Sequence, residues 1–165
     1  MSSDPLNGWR AFDLVLHGEI EIERAPEAVW PCLGRLREWK DSVVSLERIR
    51  GEANAVGEVL RIGQRPGRET VYMLQETLAA RAPRWRIQSL RAEDGVSANG
   101  YIAYTLVDMG AHTLVVCDVA AKVQVTAAAV QQAGGIHALA RTANDATQAK
   151  LDADHAALKR LVEKA

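Results

Sequence analysis

With 165 residues, 48% of them hydrophobic and 25% charged, the chain has the composition of one globular domain with its own core, and disorder is excluded. Its 20 basic and 21 acidic residues leave a formal net charge of -1, so no overall field draws nucleic acid or an anionic membrane surface to it. No run approaches the ~18 apolar residues of a membrane span, and Met1 to Gly8 lack the basic start and apolar stretch of a signal peptide. Cys32 and Cys117 form no CxxC pair; a disulfide between them stays open without support, and the cytoplasm is the default expectation.

The first periodic segment runs from Leu14 to Glu23. Leu14, Leu16, Ile20 and Ile22 alternate with His17, Glu19, Glu21 and Glu23, the pattern of a strand with one buried and one wet face. Residues 1–11 read as a flexible or loosely packed extension of a single domain covering 1–165. Pro26 suits a first helical turn and Glu27 the positive helix end, while Val29, Trp30 and Leu33 supply a buried side and Gly34 a stop. A second short helix is predicted from Leu36 to Lys40.

From Val43 onward six strands are predicted, near 43–50, 57–64, 69–79, 84–92, 97–108 and 112–125. Turn formers separate them: Gly51 to Val56, Arg65-Pro66-Gly67, Arg81-Ala82-Pro83, Glu93-Asp94-Gly95 and Asp108 to Ala111. Links this short make an antiparallel meander, because parallel pairing needs long crossovers.

From about Ala127 alanine dominates and proline is absent, which predicts a long helix of up to ~40 Å capped by Thr126 and interrupted early by Gly134-Gly135. Ile136, Ala140, Ala143, Thr147, Leu151, His155, Leu158 and Val162 form one stripe along it. The first half of the stripe is small, so it either approaches a neighbouring backbone closely or leaves a space unfilled. The sequence permits both. The expected fold class is therefore α+β: a curved seven-stranded antiparallel sheet, two short helices after strand 1 and a long carboxy-terminal helix.

This order resembles the START-like superfamily, also called SRPBCC or polyketide cyclase/dehydrase proteins, over residues 12 to 163. Local matches are Glu21 to Trp30 at the first helix, Leu36-Arg37-Glu38-Trp39 at the second, Ala82-Pro83-Arg84-Trp85 before the fifth strand, and Gly110 to Leu114 at the last hairpin. The resemblance implies a helix-grip fold with an apolar cavity between sheet and terminal helix. It implies binding or transfer of a small hydrophobic molecule such as a lipid, a polyketide-like compound or an aromatic. Some members instead catalyse cyclisation or dehydration, and a subfamily assists assembly of another enzyme; all three roles stay open. The superfamily has no shared catalytic set to transfer.

Strand alternation predicts which side chains meet the cavity. On the last strand Val115 and Cys117 should point inward, on its neighbour Ile102 and Tyr104, and on the two strands before these Trp85 with Ile87 and Tyr72 with Leu74. Trp39, Ala140, Ala143 and Thr147 complete the expected ligand-binding set, each weighed against plain core packing. Tyr104 is a candidate donor to a ligand carbonyl, or to backbone or water. Glu76, in register with Tyr72 and Leu74, is a candidate general acid or base unless a bulge turns it to solvent; a Tyr104–Glu76 pair would favour an enzyme. The thiols of Cys117 and Cys32 read as small buried side chains, and His155 as a core or boundary residue. Asp152 to His155, and the cluster Arg81, Arg84, Arg86 and Arg91, read as solvated surface. Glu19, Glu21 and Glu23 should pair with lysine or arginine across the strands. His17, His112, His137 and His155 lack metal-ligand spacing, and no nucleotide fingerprint is present, so no metal or cofactor is expected.

Overall fold

The computed structural model describes residues 8–65 and 67–164; Met1 to Asn7 of the expected extension and Pro66 of the second expected link lie outside them. Seven strands form one antiparallel sheet: β1 (Trp9–Ile22), β2 (Val43–Arg50), β3 (Val59–Gln64), β4 (Val71–Arg81), β5 (Trp85–Ala92), β6 (Ala98–Asp108) and β7 (Thr113–Thr126). Their order is β1-β7-β6-β5-β4-β3-β2, so the meander from β2 to β7 closes against the first strand. The helices α1 (Pro26–Cys32) and α2 (Leu36–Trp39) carry the chain from one sheet edge to the other, and α3 (Ala127–Gln132) and α4 (Ile136–Glu163) follow β7. This is an α+β helix-grip fold.

β1 begins earlier than its side-chain alternation suggests. Trp9 to Ala11, expected in the extension, pair with Thr126 to Gln124 of β7. Arg10 interrupts the even-numbered apolar row of Phe12, Leu14 and Leu16, which hid the strand's start, but backbone pairing needs no particular side chain. At the other end of the chain, the Thr126 hydroxyl accepts from the Ala129 N–H at 3.3 Å, and Gly134 (φ 79°) and Gly135 (φ 123°) turn the chain between α3 and α4 in a conformation that side chains resist.

As an edge strand β1 offers a row of unpaired backbone groups, a liability in any sheet. The helix α4 covers them with side chains. Asn144 accepts from the Val15 N–H at 3.0 Å and donates to the Asp13 carbonyl at 3.3 Å, while Gln148 accepts from the His17 N–H at 3.3 Å and donates to its carbonyl at 2.7 Å. Further along, Lys159 donates to the Glu21 carbonyl at 2.7 Å and Glu163 accepts from the Glu23 N–H at 2.9 Å. Helix and strand run parallel, and their lengths agree: Asn144 to Glu163 spans ~29 Å of helix and Val15 to Glu23 ~26 Å of strand.

The tightest core lies where α1, α2 and the last turns of α4 meet the sheet, with Leu33, Trp39, Val115, Leu158 and Val162 all buried. The indole of Trp39 donates to the Cys32 carbonyl at 3.0 Å. Gly18 of β1 lets α4 come close, since a Cβ there would lie 2.8 Å from Cε1 of His155. On the outer face the glutamates of β1 find histidines: His17 meets Glu19 (3.2 Å) and Asp118 (2.7 Å), and His112 meets Glu21 (2.5 Å). Among the described residues no helix is long and apolar enough to cross a membrane.

Candidate ligand cavity

A cavity of about 240 Å³ lies between the inner face of the sheet and α4. Alternation along each strand supplies its wall: Leu14 and Leu16 from β1, Ile62 from β3, Met73 from β4, Leu90 from β5, and Ile102 and Val119 from the centre. The space exists because Ala98, Ala121 and Thr147 are small. At Gly100 a Cβ would collide with the Ala120 carbonyl and with Ala121, so β6 and β7 pack without side chains there. Polar groups are few: Lys40 and Ser42 after α2, Gln64, Gln75 and Asn99 from strands, and Lys150 and Asp154 from α4.

Of the expected ligand-binding residues, the structure places Ile102 and Thr147 on the cavity wall. Trp39, Tyr104, Val115 and Cys117 face inward, yet they are packed into the core beyond the cavity's end. Ala140 and Ala143 precede the cavity along α4, in the turns where Asn144 meets the β1 edge. Four residues face the other way. Tyr72 and Leu74 of β4, and Trp85 (36% exposed) and Ile87 (40% exposed) of β5, lie on the outer face. Their strands turn Met73, Gln75 and Thr77, and Arg86, Gln88 and Leu90, toward α4 instead.

Polar side chains can face inward here because most of them find partners. Arg86, only 1% exposed, donates to the Leu33 carbonyl at 2.9 Å and to Oδ1 of Asn54 at 3.0 Å, and Gln88 donates to the Thr77 hydroxyl at 3.0 Å. Arg86 therefore leaves the expected surface cluster. Glu76 follows Leu74 outward, where it accepts from Arg50 at 2.7 Å, far from Tyr104 on the inner face. The anticipated Tyr104–Glu76 pair does not form. Asp154, expected on solvated surface, is buried and accepts from Lys150 at 2.8 Å.

The family described as polyketide cyclase / dehydrase and lipid transport matches residues 14–163. The chain belongs to this family. Among solved structures, norcoclaurine synthase from Thalictrum flavum is similar with a TM-score of 0.64 and 13% identity, covering 93% of this chain and 88% of that one. The Zhui aromatase/cyclase from Streptomyces sp. R1128 gives 0.70 and 16%, with 93% and 95% covered. A conserved protein from Geobacillus kaustophilus gives 0.72 and 17%, with 92% and 96% covered. At such identities these likenesses establish the shared fold. No curated protein matches the sequence.

In this member of the polyketide cyclase / dehydrase family, burial shifts Lys40, Cys117, Tyr104 and His155 toward their neutral forms. Burial lowers the Lys40 pKa, with Asp154 opposing and Lys150 and Arg86 lowering it further. Burial pushes the Cys117 thiol up to about 11, beyond the range of a reactive thiolate. Burial also raises the Tyr104 phenol well above its ordinary value; the hydroxyl faces the Cys117 thiol and has no hydrogen-bond partner. His155 is lowered to about 4 by burial and then by Lys40, and neither ring nitrogen has a partner. Lys40 was passed over as a site residue in the sequence, Arg86 and Asp154 were expected at the surface, and the core or boundary place expected for His155 is the one observed. An inward phase for β5 and a buried reading of Asp154 would have brought Arg86 and Asp154 to the same interior.

Proposed function

We propose that the protein binds a small hydrophobic molecule, a lipid, polyketide-like compound or aromatic, in the cavity beneath α4. The observation that carries this reading is a space of about 240 Å³ whose wall is largely aliphatic, with polar groups gathered at a few positions. An apolar occupant gains burial against the aliphatic part of this wall. The volume falls just under the ~300–1,000 Å³ usual for small-molecule sites, which favours a compact ligand. The reading invokes no cofactor, and the two buried free thiols suit the reducing cytoplasm.

The test is a thermal-shift screen of medium-chain fatty acids and alcohols, bicyclic aromatics and flavonoid-like phenols, since a ligand that binds only the folded state raises its melting temperature. The substitution Thr147→Phe, which sends a ring into the cavity, should abolish the shifts, while Ala146→Phe on the exposed side of α4 should keep them. Binding that survives Thr147→Phe would place the ligand elsewhere.

The enzymatic alternative, ring closure of a polyketide-like chain, gains one specific support. Lys40 and Asp154 put a base and an acid on the cavity wall. It predicts turnover of a linear polyketide mimic that disappears in Lys40→Met and Asp154→Asn.

A further inference from the structure

The cavity wall carries more positive charge than negative. Lys40, Lys150 and Asp154 are its ionisable groups. Asp154 is committed to Lys150, four residues earlier on α4, through a 2.8 Å ion pair. Lys40 stands alone. Among the described residues its ammonium has no hydrogen-bonded or ionic partner, and it lies over the face of Trp39, 4.9 Å from the ring centroid.

Beyond the distant pull of Asp154, the surroundings supply no counter-charge in contact with Lys40. Arg86, deeper on the same inner face, adds a second positive group whose own partners are the neutral Leu33 carbonyl and Asn54 amide. The acid that acts on Arg86 is Glu58, which accepts from Arg48 at 3.0 Å and from the Asn54 N–H at 2.9 Å. His155 is neutral at physiological pH, and the Cys117 thiol and Tyr104 phenol stay protonated. An ammonium held against an apolar space is costly unless it is paired; burial lowers the Lys40 pKa, Asp154 opposes that only from beyond ion-pair distance, and no protein group hydrogen-bonds the amine.

We propose that the natural occupant is a hydrophobic monocarboxylic acid whose carboxylate pairs with the Lys40 ammonium while its apolar body lies along Leu14, Ile62, Leu90 and Ile102. This deepens the binding reading above and rests on it. One negative charge neutralises the excess on the wall. The side-chain amides of Gln64 and Gln75, which also face the cavity, are positioned as additional donors.

The experiment is calorimetric titration at neutral pH with two matched pairs, 2-naphthoate against 2-naphthamide and decanoate against 1-decanol. The wild-type protein should bind at least one acid about tenfold or more tighter than its neutral mate, the scale of a charge-assisted hydrogen bond. In Lys40→Met that acid should lose about the same factor while its mate changes less than about twofold. Acid and mate binding alike in the wild type, or losing equally in Lys40→Met, would overturn the carboxylate and leave the cavity reading intact. Failure of all four probes would remove both. The wild-type comparison stands even if Lys40→Met folds poorly.

Discussion

Acid should loosen this protein well before its carboxylates are protonated, and His155 is the reason. Its imidazole is 1% exposed, packs against the bare backbone of Gly18, and offers two nitrogens with no partner. Its pKa of about 4 in the folded state compares with ~6.5 in an unfolded chain. The unfolded chain thus takes up the proton first, so stability is full above ~6.5 and drains away as pH falls toward 4. At ~1.36 kcal/mol per pH unit, that depression amounts to about 3 kcal/mol, against the ~5–15 kcal/mol that holds a typical domain together. The solvent-accessible acids Glu38, Glu93, Asp94 and Glu163, all with lowered pKa values, destabilise in the same direction but at lower pH. His17 acts oppositely: Asp118 and Glu19 raise its pKa, so what it contributes is complete below ~6.5 and is lost as pH rises. The substitution His155→Met keeps an adaptable apolar side chain and removes two unsatisfied nitrogens, so at pH 7 the variant should be at least as stable as the wild type. Urea unfolding followed by circular dichroism at pH 7, 6, 5 and 4 reads the effect. The variant's advantage should grow by about 3 kcal/mol across that range. Parallel pH profiles for the two proteins would refute the buried neutral imidazole.

The double substitution Asn144→Ala, Gln148→Ala removes four hydrogen bonds to the β1 edge. At ~0.5–1.5 kcal/mol each, it should cost about 2–6 kcal/mol in urea unfolding, and size-exclusion chromatography should show self-association through the bared strand. For Tyr104→Phe, which deletes a buried hydroxyl without a hydrogen-bond partner, stability should be unchanged or slightly higher. A loss above about 1 kcal/mol would mean that the phenol is paired after all.

The topology was legible because turn formers fall between short strands at regular spacing, and the phase of β6 and β7 was legible for a related reason. Asp118 and Lys122 mark one face of β7 as wet, leaving Val115, Cys117 and Val119 no choice of side. On β4 and β5 the hydrophobic residues pointed the wrong way. Trp85-Arg86-Ile87-Gln88 alternates cleanly, and the rule that the apolar row goes inside selects Trp85 and Ile87. What selects Arg86 and Gln88 is nonlocal: a carbonyl at Leu33, an amide at Asn54 and a hydroxyl at Thr77, brought within reach by folding. A register shift between Thr77 and Ala79 then reverses the phase of β4 partway, so no single alternation describes that strand. On α4 the small residues Ala140 and Ala143 had two readings, a close approach or a void. The strand-edge contacts of Asn144 and Gln148 favour close approach at that end, and the void starts only at Thr147.

This division of the interior bears on whether chemistry happens there. The groups that an acid–base mechanism would ordinarily recruit, Tyr104, His155 and Cys117, are clustered past the cavity's end and held in their neutral forms by burial. A proton donor must come within hydrogen-bond reach of the atom it serves, and Tyr104 would have to move out of a packed core to do so. Lys40 and Asp154 do reach the wall, but Asp154 spends its charge on Lys150. A wall that presents an ammonium without a hydrogen-bonded partner, a few neutral amides and a majority of aliphatic side chains is suited to holding an acid in place. Catalysis in the same space would depend on Lys40 exchanging protons, and the sensitivity of turnover to Lys40→Met, set beside its effect on carboxylate affinity, separates the two roles.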